Sequence, residues 1–296
     1  MWQPEAHWQR LQSGMGASTL GVWRDGDLII KRLTAPTPDD APELEMRRHA
    51  AYWRRAADVA ASGVVEATPG LRGPAVARMD EDSEGVTFAY AAVEPVHLTG
   101  PFVARALGRF AGAEIGDHGW LAHNQLADRL ATTERRGGWT TLARTTVADL
   151  ADRLWSRRAH FLTAIAELPQ VPQHGDPVPA NLLGRDGEDV LAIDWSNLGR
   201  GPVGADLGYW SLSAREDFDV LLQAYVEGLP PGVGSIDQAR LGAQVTAVYT
   251  ALSRADWALA RAAEGDGALA AKYRHPSVAP YLTALQRQFP QLEALI

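Results

Sequence analysis

Short apolar runs separated by turn residues fill the N-terminal part of the chain. This pattern predicts β-strands at residues 8–11, 19–23, 28–33, 75–79 and 86–93. The second and third runs flank Asp25-Gly26, a dipeptide typical of tight hairpin turns. The last two runs flank an acidic turn at residues 80–85. The region is therefore expected to form an antiparallel sheet.

One helix is expected inside this strand-rich region, over residues 43–61. Asp40 can cap its start, Pro42 stands where prolines of the first turn are tolerated, and Gly63 ends it.

Past Pro95 the apolar positions take the spacing of helices. Helices are expected at residues 102–113, 120–136, 146–168, 215–227, 236–263 and 278–295, with short strands between the third and the fourth. The predicted fold class is therefore α+β in two lobes. A small lobe, residues 1–94, holds an antiparallel sheet and one helix, and a larger, mostly helical lobe comprises residues 95–296.

The composition is that of a soluble globular protein, with 46% hydrophobic and 22% charged residues among 296. A net charge of −8 disfavours nucleic acid as a partner, because phosphate backbones require a basic surface; it suits solubility or a cationic small molecule. No apolar run is long enough to span a membrane, and no signal-peptide pattern opens the chain. Because cysteine is absent, we expect a cytoplasmic protein without disulfides. The protein is expected to act as a monomer or homodimer.

The stretch His174-Gly175-Asp176-Pro177-Val178-Pro179-Ala180-Asn181 carries the clearest chemistry, together with Asp194 after an apolar run. These residues match what phosphoryl transfer requires. One carboxylate takes the proton of an attacking hydroxyl, while an amide oxygen and a second carboxylate hold Mg²⁺ against nucleotide phosphates. Prolines on both sides of the loop would stiffen it, which suits a positioned base. We therefore predict Asp176 as the catalytic base and Asn181 and Asp194 as metal ligands.

A second group of residues is predicted to bind the nucleotide, which would be ATP or GTP. Lys31, near the end of an apolar strand, could reach phosphates lying under a Gly-rich turn whose backbone N–H groups bind anions. An acid on the following helix usually orients such a lysine, and Glu45 is favoured over Glu43. The turn comprises Ser13, Gly14, Met15, Gly16 and Ser18.

Two further residues are expected to support the site. His174 is predicted to be a buried histidine that braces the loop. A buried Asp206 could accept backbone N–H groups and fix the same loop, although an exposed helix cap is the alternative.

With these residues the chain resembles the aminoglycoside phosphotransferase family, within the protein-kinase-like fold. The likeness rests on His174-Gly175-Asp176 with Asn181-Leu182-Leu183, on Ile193-Asp194-Trp195, and on Gly201-Pro202 through Asp206-Leu207. The resemblance implies a nucleotide in the cleft between the lobes and Lys31 on the α- and β-phosphates. It also implies a hinge containing Glu94 and Val96, whose backbone would read the purine. Ala180 stands where the family often has glycine.

The identity of the acceptor is harder to predict from the sequence. In the family it lies against the larger lobe, and the candidate contacts here are Trp210, Glu216, Asp217, Asp256 and Trp257. The acids would suit a polycationic acceptor, but solvated helix faces explain them equally well. We expect an antibiotic-inactivating phosphotransferase. The alternatives are a metabolic kinase for a sugar, amino alcohol or nucleoside, and a nucleotide-binding pseudokinase-like module. The complete set of Lys31, Asp176, Asn181 and Asp194 argues against the pseudokinase.

Overall fold

The computed structural model describes residues 2–11, 18–135, 146–263 and 283, of which 146–150 and 257–263 are described as backbone only. The predicted helix at residues 278–295 therefore lies outside the described residues. The described strands are β1 (Gln9–Arg10), β2 (Thr19–Asp25), β3 (Leu28–Thr34), β4 (Leu71–Arg72), β5 (Val76–Asp82), β6 (Gly85–Ala91), β7 (Gln170–Gln173), β8 (Leu182–Asp186), β9 (Asp189–Ala192) and β10 (Gly199–Pro202). The described helices are α1 (Arg55–Ser62), α2 (Gly100–Phe110), α3 (Gln125–Arg135), α4 (Thr146–Ser156), α5 (Arg158–Ala166), α6 (Ala205–Ser211), α7 (Phe218–Gly228) and α8 (Ile236–Ala263).

The N-terminal strands form a five-stranded antiparallel sheet in the order β1-β2-β3-β6-β5. The predicted hairpin is confirmed, since Asp25 pairs with Leu28 and Gly26 takes the positive φ of 57° that the turn needs. Lys31 lies in the middle strand of the sheet, between Val22 and Phe88. The sheet therefore presents this lysine from a position that neighbouring strands fix on both sides.

The helix predicted for residues 43–61 is wrong over its first half. A 3₁₀ turn covers Pro42–Leu44, and α1 starts only at Arg55. Asp40 caps no helix, because its carboxylate accepts from the backbone and hydroxyl of Thr37. Gly63 does end α1, in the left-handed conformation with φ 63°.

Two small sheets frame the functional loops in the larger part of the chain. One has the order β4-β9-β8, and in the other β7 pairs with β10. The loop between β7 and β8 comprises residues 174–181, and the turn after β9 comprises residues 193–198. Because β4 comes from the first hundred residues but pairs with β9, the chain crosses between the lobes more often than a single boundary implies. The boundary between residues 94 and 95 stays a prediction.

The helices follow the predicted pattern with two differences. The predicted helix 146–168 is interrupted at Arg157 into α4 and α5. Short α6 was not predicted, because its Gly-rich flanks hide a seven-residue helix.

The buried apolar residues form one large cluster around α2, α6 and α7 and a second where α3 and α5 pack on α8. A smaller cluster seats α1 against the sheet. None of the described helices is both long and apolar enough to cross a membrane.

Candidate active site

A buried carboxylate fixes the start of the 174–181 loop. Asp206, in the first turn of α6, accepts hydrogen bonds from the backbone N–H of His174 at 2.7 Å and of Gly175 at 3.0 Å. Burial raises the pKa of Asp206 above its ordinary value, while the hydrogen bonds from the two backbone N–H groups oppose that rise. Gly175 has φ 79°, and a Cβ there would collide with the Gln125 side chain. Only glycine therefore fits this turn beside α3.

His174 is fully buried and links the two functional loops. Its Nε2 lies 2.9 Å from the carbonyl of Ile193, and its Nδ1 accepts from the backbone N–H of Asp176 at 3.3 Å. Both contacts are satisfied by one tautomer, the neutral ring protonated on Nε2, an assignment made from the hydrogen-bond network. The ring also packs on Trp195, at 4.7 Å between centroids. The histidine therefore ties the start of one loop to the residue preceding Asp194.

Asp176 and Asn181 face each other across the loop. The Nδ2 group of Asn181 donates to the backbone carbonyl of Asp176 at 3.0 Å and to its Oδ2 at 3.1 Å. The backbone N–H of Ile193 donates to the Asn181 carbonyl at 2.8 Å. Asn181 thus stands between Asp176 and the strand end that carries Asp194.

Asp194 connects the two lobes. It is one of two non-glycine residues with positive φ in the described chain, at φ 58° and ψ 61°. Asp tolerates this conformation better than most residues, and residues held in it concentrate at functional sites. Its Oδ1 lies 2.7 Å from Nζ of Lys31, whose side chain is 9% exposed. Burial acts to raise the pKa of Asp194, but the Lys31 ammonium and a hydrogen bond from Ser196 act together against burial, and the net pKa is lowered.

Arg55 anchors the turn after Asp194 to the first helix. It is fully buried, and its guanidinium donates to five backbone carbonyls. One of them belongs to Ser196 at 2.9 Å and another to Trp120 at 2.7 Å. Burial lowers the pKa of Arg55 to about 10. Since charged groups are buried only when their donors are satisfied, this arginine acts as a structural cross-link.

The lysine partner differs from the one predicted. Glu45 is exposed, because the helix expected to carry it does not form there. Glu43 pairs instead with Arg135 at 3.2 Å. The residues of α1 that line the small cavity beside Lys31 are Ala56, Val59 and Ala60, all apolar. The carboxylate that pairs with Lys31 is therefore Asp194, and this corrects the assignment to Glu45.

The predicted phosphate turn is described only at its end. Ser13, Gly14, Met15 and Gly16 lie outside the described residues. Ser18 is described, and its carbonyl accepts from the N–H of Thr34 at 2.9 Å.

The predicted hinge is already partly engaged within the chain. Val96 donates its N–H to the Leu183 carbonyl at 2.8 Å, so this amide is not available to a purine. The side chain of Glu94 pairs with Arg24 at 3.3 Å and is largely exposed. A purine contact at these two positions would have to use other backbone atoms.

Two of the predicted acceptor contacts have structural partners. Trp210 is 5% exposed and donates from Nε1 to the carbonyl of Gly100 at 3.3 Å. Glu216 accepts from the N–H of the same Gly100 at 3.0 Å. Both side chains therefore hold the start of α2, and their contact with the acceptor stays a prediction.

The other acceptor candidates lie on α7 and α8. Asp217 is exposed at the start of α7 and its side chain makes no capping hydrogen bond. Asp256 is half-buried on α8, and the side chain of Trp257 lies outside the described residues.

Three residues near Asp176 were not predicted from the sequence. Arg254 of α8 places Nη2 3.0 Å from Asp176 Oδ1 and also donates to the hydroxyl of Tyr209. Arg129 of α3 donates to the Gly175 carbonyl at 2.5 Å. Arg254 was detectable in principle, as the first charged residue after the uncharged stretch 241–253 of the helix.

The donor set suits Mg²⁺ held jointly by protein and phosphates. No three His, Cys, Asp or Glu side chains converge on a cation site within the described ranges. Asn181 and Asp194 offer one amide oxygen and one carboxylate, and Mg²⁺ bound to nucleotides commonly takes one or two protein ligands plus phosphate oxygens and water. The residues therefore fit a cation that arrives with a nucleotide rather than one held by the protein alone.

A strand-rich lobe presenting a lysine, facing a helical lobe with an Asp–Asn loop and a second aspartate, defines a phosphotransferase of the protein-kinase-like fold. The chain belongs to the phosphotransferase enzyme family APH, whose model matches residues 7–237. The family expected from the motifs is thereby confirmed.

Solved structures share this fold at low sequence identity. A choline/ethanolamine kinase family protein from Mesorhizobium loti has a TM-score of 0.60 at 18% identity, covering 97% of this chain and 92% of its own. The GDP and kanamycin complex of APH(2")-IIia gives 0.63 at 13%, covering 96% and 93%. Streptomyces rimosus APH(3'')-Id, in complex with ADP and streptomycin, gives 0.52 at 18%, covering 82% and 94%. No curated protein matches the sequence significantly.

Proposed function

We propose that this protein transfers the γ-phosphoryl group of ATP or GTP to a hydroxyl of a small molecule. The observation that carries the proposal is the convergence of Asp176, Asn181 and Asp194, with Lys31 reaching Asp194 from the other lobe. Membership of the APH family supports the same reaction, and structural neighbours in complex with GDP or ADP support nucleotide use.

In the proposed reaction Asp176 accepts the proton of the acceptor hydroxyl. The hydroxyl oxygen bonds to the γ-phosphorus while the bond from that phosphorus to the bridging oxygen breaks, which releases a nucleoside diphosphate. Asn181 and Asp194 would hold Mg²⁺, which supplies charge neutralisation at the phosphates. Lys31 would bind the α- and β-phosphates, and His174 and Asp206 would keep the loop in place through the contacts described above.

For the acceptor we propose first an antibiotic, so that phosphorylation would inactivate it. Neighbours in complex with kanamycin or streptomycin support this choice. A second candidate is a small metabolic alcohol such as an amino alcohol or a sugar. Two observations favour it: Glu216 and Trp210 are engaged in holding α2, and a choline/ethanolamine kinase family protein shares the fold over 97% of this chain.

The test is a transfer screen with mass detection of one added phosphoryl group. The panel contains aminoglycosides, other hydroxylated antibiotics, amino alcohols, homoserine and sugars, each with Mg²⁺-ATP and with Mg²⁺-GTP. Asp176→Asn serves as the variant that lacks the base, and Asp237→Asn as the exposed control acid. Product formed at similar rates by wild type and Asp237→Asn, and about 100-fold or more slowly by Asp176→Asn, supports the proposal. No product with any acceptor and either nucleotide would contradict it.

The salt dependence of KM separates a cationic acceptor, such as an aminoglycoside or an amino alcohol, from a neutral one such as a sugar. A polycationic antibiotic bound by acidic side chains should show a KM that rises with ionic strength, because salt screens the attraction. A neutral alcohol should show a flat response.

A further inference from the structure

The carboxylate of Asp176 is held from two sides by side chains of different origin. Asn181, in the same loop, donates to Oδ2. Arg254, 78 residues away on α8, donates to Oδ1. We propose that Arg254, with Tyr209, is a positioning residue that fixes the orientation of the catalytic base. This inference rests on the proposed function and names a residue that neither the motif nor the family match identifies.

The side chains of Asp176, Arg254 and Tyr209 each contact the other two. The guanidinium of Arg254 donates both to Asp176 and to the hydroxyl of Tyr209. Tyr209 is 4% exposed; burial, and then the neighbouring Asp176 carboxylate, raise its pKa to about 12. The phenol therefore keeps its proton at neutral pH and can give it in a hydrogen bond to Asp176 while accepting one from Arg254. Each of these three side chains therefore restrains the orientation of the other two.

The aromatic ring of Tyr209 extends this arrangement to a second helix. The guanidinium of Arg254 lies 5.7 Å from its centroid, and that of Arg129 on α3 lies 5.0 Å from it. Arg129 also donates to the carbonyl of Gly175, immediately before the base. Helices α3 and α8 pack on each other in one apolar cluster. Two helices outside the motif therefore each place one arginine against the loop that carries Asp176: Arg129 from α3 and Arg254 from α8.

Positioning matters at this point because a general base must lie within hydrogen-bond reach of the acceptor hydroxyl. A carboxylate oxygen has two lone-pair directions, so Oδ1 can accept from Arg254 and still face a substrate hydroxyl. A rigid base avoids the loss of about 100-fold in rate that a displacement near 1 Å can cause. Both hydrogen bonds of Arg254 come from Nη2, whose two N–H directions are fixed by the planar guanidinium, unlike those of a freely rotating lysine ammonium.

The experiment is a kinetic double-mutant cycle between Arg254 and Asp176 in the full chain. Arg254→Ala, Asp176→Asn and the double variant are compared with wild type in single-turnover transfer, with nucleotide KM measured in parallel. Arg240→Ala is the matched control, since Arg240 lies on the same helix, is 38% exposed against 36% for Arg254, and pairs with Asp219 at 2.7 Å. Arg254→Lys tests whether charge alone suffices, and added guanidinium tests chemical rescue of Arg254→Ala.

We expect Arg254→Ala to lower kcat by about 10- to 100-fold with nucleotide KM within about twofold of wild type. Because Arg254 acts through Asp176, its removal should cost nothing further in the Asp176→Asn background. Guanidinium should restore part of the rate, Arg254→Lys should fall between wild type and Arg254→Ala, and Arg240→Ala should match wild type.

Two results would overturn the inference while leaving the proposed function intact. One is a kcat for Arg254→Ala within about twofold of an active wild type, far less than misplacement of a catalytic group costs. The other is a loss in the double variant equal to the product of the two single losses, without guanidinium rescue. Absence of transfer by wild type itself would instead overturn the proposed function, and with it the role of Arg254.

Discussion

The two carboxylates of the site are each paired with one cation, but the cations come from different parts of the fold. Asp194 pairs with Lys31, which the N-terminal sheet supplies. Asp176 pairs with Arg254, which belongs to α8 in the same lobe as the loop. The first pair therefore spans the cleft, and the second stays within one lobe.

This difference indicates that Asp194 and Asp176 have different roles. In the proposed function Lys31 binds the phosphates, so a pair that spans the cleft would have to change when they arrive. A pair within one lobe keeps its geometry whether or not the lobes move. We infer that Asp194 responds to the nucleotide, whereas Asp176 is preorganised for the acceptor.

The largest effect is expected from Asp176→Asn, which removes the base and keeps its shape. General-base catalysis contributes about 10²- to 10⁴-fold, so kcat should fall by that factor while the nucleotide Kd stays near that of wild type. Single-turnover transfer and calorimetric titration measure the two quantities. Wild-type rates in this variant would remove Asp176 from its proposed role.

Asp194→Asn tests the carboxylate that pairs with Lys31. Mg²⁺ prefers carboxylate oxygens, so this variant should lose the gain in nucleotide affinity that Mg²⁺ gives to wild type. Titrations with Mg²⁺ and with EDTA measure the gain, and Asp237→Asn is the exposed control. Identical Mg²⁺ dependence in the variant and in wild type would show that the metal is held elsewhere.

A smaller, pH-dependent effect is expected from Asp206, which supports both acids through the 174–181 loop. Its folded-state pKa is raised by burial above the ordinary 3.8. Between these two values the folded state keeps a proton that the unfolded state has released. The free energy of unfolding should therefore fall as pH rises through this window, and the contribution is fully present only below it.

Asp206→Asn has no proton to release and should flatten that slope. It should also lower stability by about 1–3 kcal/mol, because an amide cannot accept from both backbone N–H groups with its nitrogen. Urea unfolding of wild type and variant across a pH series measures both effects. An unchanged slope would show that Asp206 does not titrate in this window.

The smallest effect is expected from Glu45→Gln. Since Glu45 is exposed and Lys31 pairs with Asp194, nucleotide affinity should change by less than about twofold, as for other exposed substitutions. Lys31→Met is the comparison variant and should weaken nucleotide binding clearly. A loss in Glu45→Gln as large as in Lys31→Met would restore the helix acid to the site.

The sequence was sufficient for the features that local pattern encodes. The hairpin at Asp25-Gly26 and helix α8 were predicted at or near their observed bounds. The failure at residues 43–54 has a tertiary cause. The carbonyls of Arg47, His49 and Ala50 accept from the buried Arg55 guanidinium. In a helix those carbonyls would accept hydrogen bonds from backbone N–H groups, but here they accept from Arg55 instead. Tertiary packing therefore overrides the local helical preference.

The same limit applies to the site. Asp176, Asn181 and Asp194 lie close together in sequence, so their spacing carried the chemistry. Arg254 is separated from Asp176 by 78 positions, and no local rule connects two residues so far apart. Trp210 and Glu216 show a related limit, since their sequence positions gave no sign that their side chains contact the start of α2.

The most direct test of this division between the two carboxylates is a crystal structure with Mg²⁺ and a non-hydrolysable nucleotide. The prediction is that Mg²⁺ contacts Asn181 Oδ1 and Asp194 and that Lys31 Nζ moves from Asp194 towards the α- and β-phosphates. Asp176 should remain on Arg254, facing the γ-phosphate. A metal bound without Asn181 and Asp194, or an Asp176 drawn onto the metal and away from Arg254, would contradict it.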